Sequence, residues 1–334
     1  MPQTIERTQV GKRESLSDVI ANVDAKKTPF YAAVSKGTDP ANSLFTHQVD
    51  AYDNPLAGAI VDGTDVSTTE DAAENRALIS NYTEEFRRTP KVTNRAEESN
   101  VAGIGQRKEF AKAIAKKQFE IKRDIESAFC SDNDAQADNG TVGYRSRALG
   151  ATIKATAGTV LPIPSAYLTP SASIDTTVIN SLTPDIVNGV LESIYLQTGE
   201  EATLMLLCGS TLKKRFTKMV GYMPDVSSYT AITRTTRGEG KKWSNTINVF
   251  EGDFGTLELV ADNFLGWNFG TAARDSRRGY VLDMSMVELR WQKDINMKPL
   301  PDLGGGPRAL ISCIVGLCVK NPLGLGKFAA SSDS

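Results

Sequence analysis

One predicted helix sets the dimensions of this chain. Phe110, Ile114, Gln118, Ile121, Ile125 and Ala128/Phe129 recur at intervals of three and four, the apolar stripe of an amphipathic helix. No proline falls between Pro90 and Pro162. The pattern predicts a helix from near Ala96 to just before Ser131, where SDNDAQADNG is a cluster of breakers; Gly103 and Gly105 weaken its start. About thirty-five residues would reach ~50 Å, longer than most small domains are wide.

The flanks carry their own patterns. In residues 13–34, Ser15 and Asp18 have capping-box-like spacing, and Leu16, Val19, Ile20 and Val23 follow at helical intervals until Pro29 stops them. From Gly37 to Asn75, Gly, Pro, Asn, Asp and Thr dominate, with alternating pieces such as LFTHQVDAY. The stretch is too long for an ordinary loop and reads as a projecting hairpin, with NYTEEFRRTPKV (81–92) as its returning strand. After a Thr/Pro/Ser-rich connector at 156–177, Thr183 and Pro184 open a helix that Gly199 closes. A buried strand, ATLMLLC, and a short helix, STLKKRFTKMV, complete a small α/β unit. Most of the rest reads as strands: INVFEG, GTLELVAD, GYVLDMSMVELRW and PRALISCIVGLCVKN, with turns at Gly252, Gly255 and Gly304–Gly306. The class is α+β.

Catalytic chemistry is hard to place. A length of 334 residues implies two units, or one with long excursions. The single histidine, His47, sits on the alternating strand LFTHQVD, where an exposed side chain is expected, and one histidine removes multi-His metal sites. No Gly-x-Ser-x-Gly turn exists. The glycine stretches AGIGQRKEF (102–110), RGEGKKW (237–243) and LGLGKF (323–328) lack phosphate-loop or dinucleotide spacing and read as turns. Glu84/Glu85 and Glu97/Glu98 are sequence neighbours that point to different faces, so they are no acid/base pair. Cys130, Cys208, Cys313 and Cys318 form no Cys-x-x-Cys pair, and three of them lie in apolar runs, which reads as small buried hydrophobes of a cytosolic chain. The expectation is no enzyme, no cofactor and no metal. The longest uncharged apolar stretch, Ala309 to Val319, is far shorter than a membrane span, and the N-terminus has no apolar core for a signal peptide.

Charge is balanced overall and segregated locally. The formal net charge is −2, which argues against a dedicated nucleic-acid binder. Yet the excursion from Gly37 to Asn75 holds eight acids (Asp39, Asp50, Asp53, Asp62, Asp65, Glu70, Asp71, Glu74) and no Lys or Arg. Arg76, Arg87, Arg88, Lys91 and Arg95 follow at once, and Lys108, Lys112 and Lys116 then repeat every four residues on one helix face. Like charges at that spacing repel by a few tenths of a kcal/mol per pair in an isolated helix. Three readings follow. The face is solvated, with Lys116–Glu120 and Lys122–Glu126 as internal pairs; nucleic acid lies along the helix, though no aromatic residues interleave for stacking; or the acidic excursion of one subunit lies across the basic helix of another.

The order of these parts resembles a tailed-bacteriophage major capsid protein of the Hong Kong ninety-seven type, in the SU-ten-like family. The pieces that carry the resemblance are the arm RESLSDVIANVDAKKTPFY, the segment NYTEEFRRTPKVT, the helix EFAKAIAKKQFEIKRDIESAFC, and LELVADNF, GYVLDMSMVELRW and VGLCVKNPLG near the C-terminus. The resemblance implies an N-terminal arm at 1–39, an extended β-hairpin loop at 40–92 and a peripheral domain with the spine helix at 93–177. An axial domain at 178–265 and the returning peripheral β-region and C-terminus at 266–334 follow. It also implies self-assembly into hexamers and pentamers of an icosahedral virion capsid, built in the host cytoplasm around non-specifically held double-stranded DNA. Portal, scaffolding and decoration proteins are possible partners in such a family, and a membrane is not. With the arm helix starting within twenty residues of Met1, no fused scaffold segment is expected.

Two rivals stay open. An encapsulin-like compartment shell would share the fold and enclose cargo protein. A nucleotide-dependent α/β enzyme would need a phosphate site after ATLMLLC, where Gly209, Ser210 and the following helix N-terminus offer a weak one.

Overall fold

Glycine decides where the long helix begins. In the computed structural model, Gly103 (φ 79°) and Gly105 (φ 83°) take left-handed backbone and Arg107 follows at φ 60°. None of these continues a right-handed helix. The helix expected from Ala96 to Ser131 is therefore two: a five-residue piece, Asn94–Glu98, and a 21-residue helix, Glu109–Phe129, ~31 Å long rather than ~50 Å. The displaced first turn still serves the second. Glu97 Oε2 accepts from the Phe110 N–H at 2.8 Å, filling one of the orphan donors at the helix start.

The structure describes residues 27–52, 55, 62–63, 75–221, 248–265, 275–330 and 332; the arm helix expected around Ser15–Val23 and the RGEGKKW turn lie outside them. The described elements, in chain order, are α1 (Pro29–Ala33), β1 (Ser35–Lys36), β2 (Leu44–Val49), β3 (Ala77–Tyr82), β4 (Glu84–Arg88), α2 (Asn94–Glu98), α3 (Glu109–Phe129) and α4 (Leu149–Thr152). They continue as β5 (Ile174–Asp175), α5 (Pro184–Thr198), β6 (Ala202–Cys208), α6 (Ser210–Gly221), β7 (Val249–Gly252) and β8 (Gly255–Ala261). The chain closes with β9 (Arg278–Leu282), β10 (Val287–Leu300), β11 (Arg308–Val319) and β12 (Gly326–Ala329). Pro29 starts a short helix rather than only ending one, as its fixed φ and missing donor suit a first turn. The run GYVLDMSMVELRW is two strands, β9 and β10. Asp283 Oδ1 accepts from Ser285 N–H and Oγ–H, and that local turn interrupts the alternation.

Among the described residues, three sheets result. A four-stranded sheet runs β1-β10-β11-β4, with β10 and β11 a long antiparallel pair. The apolar half of α3 covers it, burying Ile121, Ile125 and Phe129 against Ile311, Cys313 and Val315. A six-stranded sheet runs β5-β12-β9-β6-β8-β7, with β6 parallel to β8 and antiparallel to β9. Helices α5 and α6 supply Val187, Leu191, Leu212 and Phe216 to its core of Leu204, Leu206, Leu257 and Val281. The predicted helix–strand–helix unit is thus present, but its sheet draws β9 and β12 from beyond residue 265. The third sheet is the hairpin β2–β3, in register from Leu44↔Tyr82 to Val49↔Ala77.

The returning strand divides at Thr83: β3 closes the hairpin, while β4 joins β11. Asn81 fixes that junction. Its Nδ2 donates to Leu317 O at 2.7 Å, Ser146 Oγ at 3.1 Å and Arg147 O at 3.2 Å. Its Oδ1 accepts from Arg147 N–H at 2.7 Å and Tyr82 N–H at 2.8 Å. Beneath it, Gly316 leaves room for the Phe45 ring; a Cβ there would fall inside van der Waals contact. The hairpin root is thereby welded to the body while its outer face, including Leu44 and Leu78, stays exposed. No described helix is long and apolar enough to cross a membrane.

Candidate assembly surface

The hairpin β2–β3 keeps one face on the body, where Val49, Ala77 and Ile79 pack with Ile163 and Tyr167 and the Tyr167 hydroxyl donates to Asn75 O at 2.5 Å, and leaves Leu44 and Leu78 exposed on the other. At the neck, Asp50 Oδ2 lies 3.7 Å from Arg76 Nε, both exposed. Asp39 pairs with Lys36 at 3.6 Å. Asp62 is exposed, and Asp53, Asp65, Glu70, Asp71 and Glu74 lie outside the described residues. Of the basic residues expected to meet such acids, Arg76, Arg87 and Arg88 all have partners in their own subunit. Arg87 Nε lies 3.1 Å from Glu85 Oε1. Arg88 binds Asp124 bidentately, Nε to Oδ2 at 2.7 Å and Nη2 to Oδ1 at 2.5 Å, with Glu120 at 3.5 Å from Nη1. That fork anchors β4 to α3.

The lysine stripe is different. Lys108, Lys112 and Lys116 are all exposed, and no ion pair reaches them among the described residues. The internal pairs expected to balance them do not form. Glu120 goes to Lys117 Nζ at 2.6 Å and to Arg88, so Lys116 is left to solvent. Lys122 sits over the Tyr31 ring at 5.6 Å. Glu126 is fully buried and accepts from the Phe30 and Tyr31 N–H groups at 2.8 and 2.6 Å. Burial first, and then the nearby Asp262, pushes the Glu126 carboxyl up to about 8. Its helical spacing to Lys122 suggested a surface pair; the stripe of Ile121, Ile125 and Phe129 puts the residue beside Ile125 on the inner face instead.

Other sequence candidates settle as follows. His47 is half-buried rather than exposed, its Nδ1 3.6 Å from Cys318 Sγ, and burial lowers its pKa. The four cysteines are free and buried. The N-terminus of α6 is no phosphate cradle: Ser276 O already accepts from Thr211 N–H at 3.0 Å and Leu212 N–H at 3.2 Å. The adjoining cavity, about 240 Å³, is also lined by Asp262 and Asp275, which oppose an anion. Sequence reading missed Asn81 and Arg147, whose buried guanidinium binds Asp134 at 2.9 Å and Val160 O at 2.7 Å. It also missed the cluster in which Asp132 meets Lys327 at 2.8 Å and Arg278 at 2.5 Å.

Glu84, at the start of β4, supplies a pH readout of this region. Its Oε2 accepts from Ser146 N–H at 3.3 Å, yet burial outweighs that bond and raises its pKa from 4.5 to about 7. The folded chain then keeps a proton that the unfolded chain loses, so stability falls as pH rises from about 4.5 to 7. Glu84→Gln is expected to change stability little near pH 4.5 and to raise it by ~3 kcal/mol at pH 8. Urea unfolding at the two pH values checks this.

Comparison with known proteins fits this geometry. A profile of the family described as SU10 major capsid protein matches residues 3–331. A search of curated protein sequences gives no match. Among solved structures, the chain is similar to a capsid chain of cyanophage A-1(L), with TM-score 0.64, 11% identity, and 97% of this chain and 98% of that one covered. It is similar to a chain of Mycobacterium phage Bobi, with TM-score 0.62, 12% identity, and 98% and 99% covered. A chain from the capsid of a native GTA particle gives 0.61 at 15% identity, with 97% of each chain covered. These identities carry the fold, and the profile carries the family. The chain belongs to the SU10 major capsid protein family, and it is a structural major capsid protein of a phage head with the Hong Kong ninety-seven type fold.

Proposed function

We propose that this chain, without catalytic activity, assembles into hexamers and pentamers that close an icosahedral shell around double-stranded DNA in the host cytoplasm. The observation that carries the reading is the rooted hairpin: one face is packed on its own body through Phe45, Ile79 and Asn81, and the other, with Leu44 and Leu78, is exposed, which suits a limb that meets a neighbour. The acids of the excursion then lie against the exposed Lys108, Lys112 and Lys116 of that neighbour, with Arg76 and Arg87 at the margin. Residues 93–177 and 266–334 form the peripheral part, except that β9 and β12 complete the sheet of 178–265, the axial part around the capsomer centre; 1–39 is the arm. Portal, scaffolding and decoration proteins act on the assembled shell. Rate-zonal sedimentation of the expressed protein, with the nucleic-acid content of the fast fraction measured, tests the reading. Fast particles that hold DNA support it; fast particles filled with a docked protein favour the compartment reading, and slow small oligomers defeat both.

Because net charge is −2, DNA is held through scattered Lys and Arg only. Free subunits are expected to bind DNA weakly, without sequence preference, and to lose it as salt rises. Fluorescence anisotropy with unrelated duplexes at two salt concentrations checks this, and a tight, sequence-selective complex contradicts it.

A further inference from the structure

We propose that Glu126, Cys130 and Asp262 form a buried site for one divalent transition-metal ion of the zinc type, which ties α3 to the segment that follows β8. Glu126 and Cys130 stand four residues apart at the end of α3, on one helix face. Asp262 reaches them from the residue after β8. One donor atom from each, two carboxylate oxygens and a sulfur, lies within 4.8 Å of the others, and all three residues are buried.

A second observation points to an ion. Asp262 is 5% exposed; its Oδ1 accepts from Phe264 N–H at 2.9 Å, but its Oδ2 is buried without a hydrogen-bond partner. Such an orphan acceptor is costly in a dry site unless something binds it. No Lys or Arg forms an ion pair with Glu126 or Asp262 among the described residues. Two carboxyl groups and a thiol thus converge with no Lys or Arg partner among the described residues.

The donor set selects the ion's class. Magnesium and calcium favour oxygen alone and copper(I) favours sulfur alone, whereas zinc takes thiolate and carboxylate together. Bonds of ~2.0–2.3 Å set tetrahedral donors ~3.3–3.8 Å apart, so closure needs shifts of about 1 Å. Of the three donors, Asp262 alone also lines the cavity beside α6, so the ion would approach from the Asp262 side, with a water as fourth ligand. The N–H groups of Phe30 and Tyr31 already orient Glu126, the outer support that metal-binding carboxylates need. On binding, the Cys130 thiol and the Glu126 carboxyl each lose a proton to solvent as the metal–sulfur and metal–oxygen bonds form, with no change of oxidation state. An occupied site would therefore lock the α3 side of the molecule, and the Phe30–Tyr31 part of the arm, to the six-stranded sheet.

The test is cobalt titration of the reduced, chelator-treated full-length chain, followed by absorbance and thermal melting. About one cobalt per chain is expected, with a near-ultraviolet sulfur-to-cobalt band and a higher melting midpoint than in chelator. Cys130→Ser should abolish the band, and Asp262→Asn, nearly isosteric, should weaken binding at least tenfold. Absence of the band in the parent chain overturns the proposal, as does a band that survives Cys130→Ser. Should that variant fail to fold, Asp262→Asn decides alone: parent-like cobalt affinity overturns the site, and the tenfold loss supports it.

Discussion

Reversing Asp62, Asp65, Glu70 and Asp71 to Lys is expected to leave the subunit folded and to stop shell assembly at low salt. Folding survives because the hairpin's contacts with the body are made by Phe45, Val49, Ala77, Ile79 and Asn81, none of which is reversed. Assembly fails because the new lysines would face Lys108, Lys112 and Lys116, which have no ion pair in their own subunit among the described residues. One exposed pair contributes at most ~1 kcal/mol and is screened by salt. Repetition at every subunit contact multiplies that small quantity, so the collective change is large. Reversing the three lysines to Glu in the same chain should partly restore assembly. Arg88 is left out of the rescue because it is committed to Asp124, and its reversal would strike the fold. Light scattering of assembly at low and high salt measures the outcome. Normal assembly of the acid reversal at both salts sinks the clasp, and an unfolded subunit would place the excursion in the core.

Asn81→Leu is expected to destabilise the subunit by about 3–5 kcal/mol, a large share of the ~5–15 kcal/mol of a typical domain. The side chain makes five hydrogen bonds, and Leu would leave the Leu317 carbonyl and the Arg147 N–H buried without partners. Leucine also adds branched bulk beside Ser146. Thr46→Ala, on the same hairpin but exposed and bonded only to Ser80, is the control and should change stability by no more than ~0.5 kcal/mol. Equal losses for the two variants in chemical denaturation would mean that Asn81 is no junction.

What the sequence made legible follows from the range of its signals. The second half of α3 was readable because Ile121, Ile125 and Phe129 repeat at the helical period against one sheet. Its start was not, since Arg107 in left-handed backbone carries no local signal and the two glycines weaken a helix without saying where it stops. The break between β9 and β10 was readable in principle from Asp283 and Ser285, but the apolar residues around them masked a local turn. Asn81 alternates like any outward polar residue of a strand; its burial depends on Leu317, 236 residues away. Charge segregation in the excursion was plain, whereas the pairing of Arg88 with Asp124 depended on how β4 docks beside α3. Glu126 shows the same limit: helical spacing allowed a surface pair with Lys122, and only the packing of α1 turned it inward.

As a phage-head protein, this chain is expected to build a closed shell, by itself or with phage partners. Electron microscopy of the purified, expressed protein measures this. Uniform spherical particles with hexameric and pentameric capsomers are the expected result; a monodisperse small oligomer under all assembly conditions would overturn the shell.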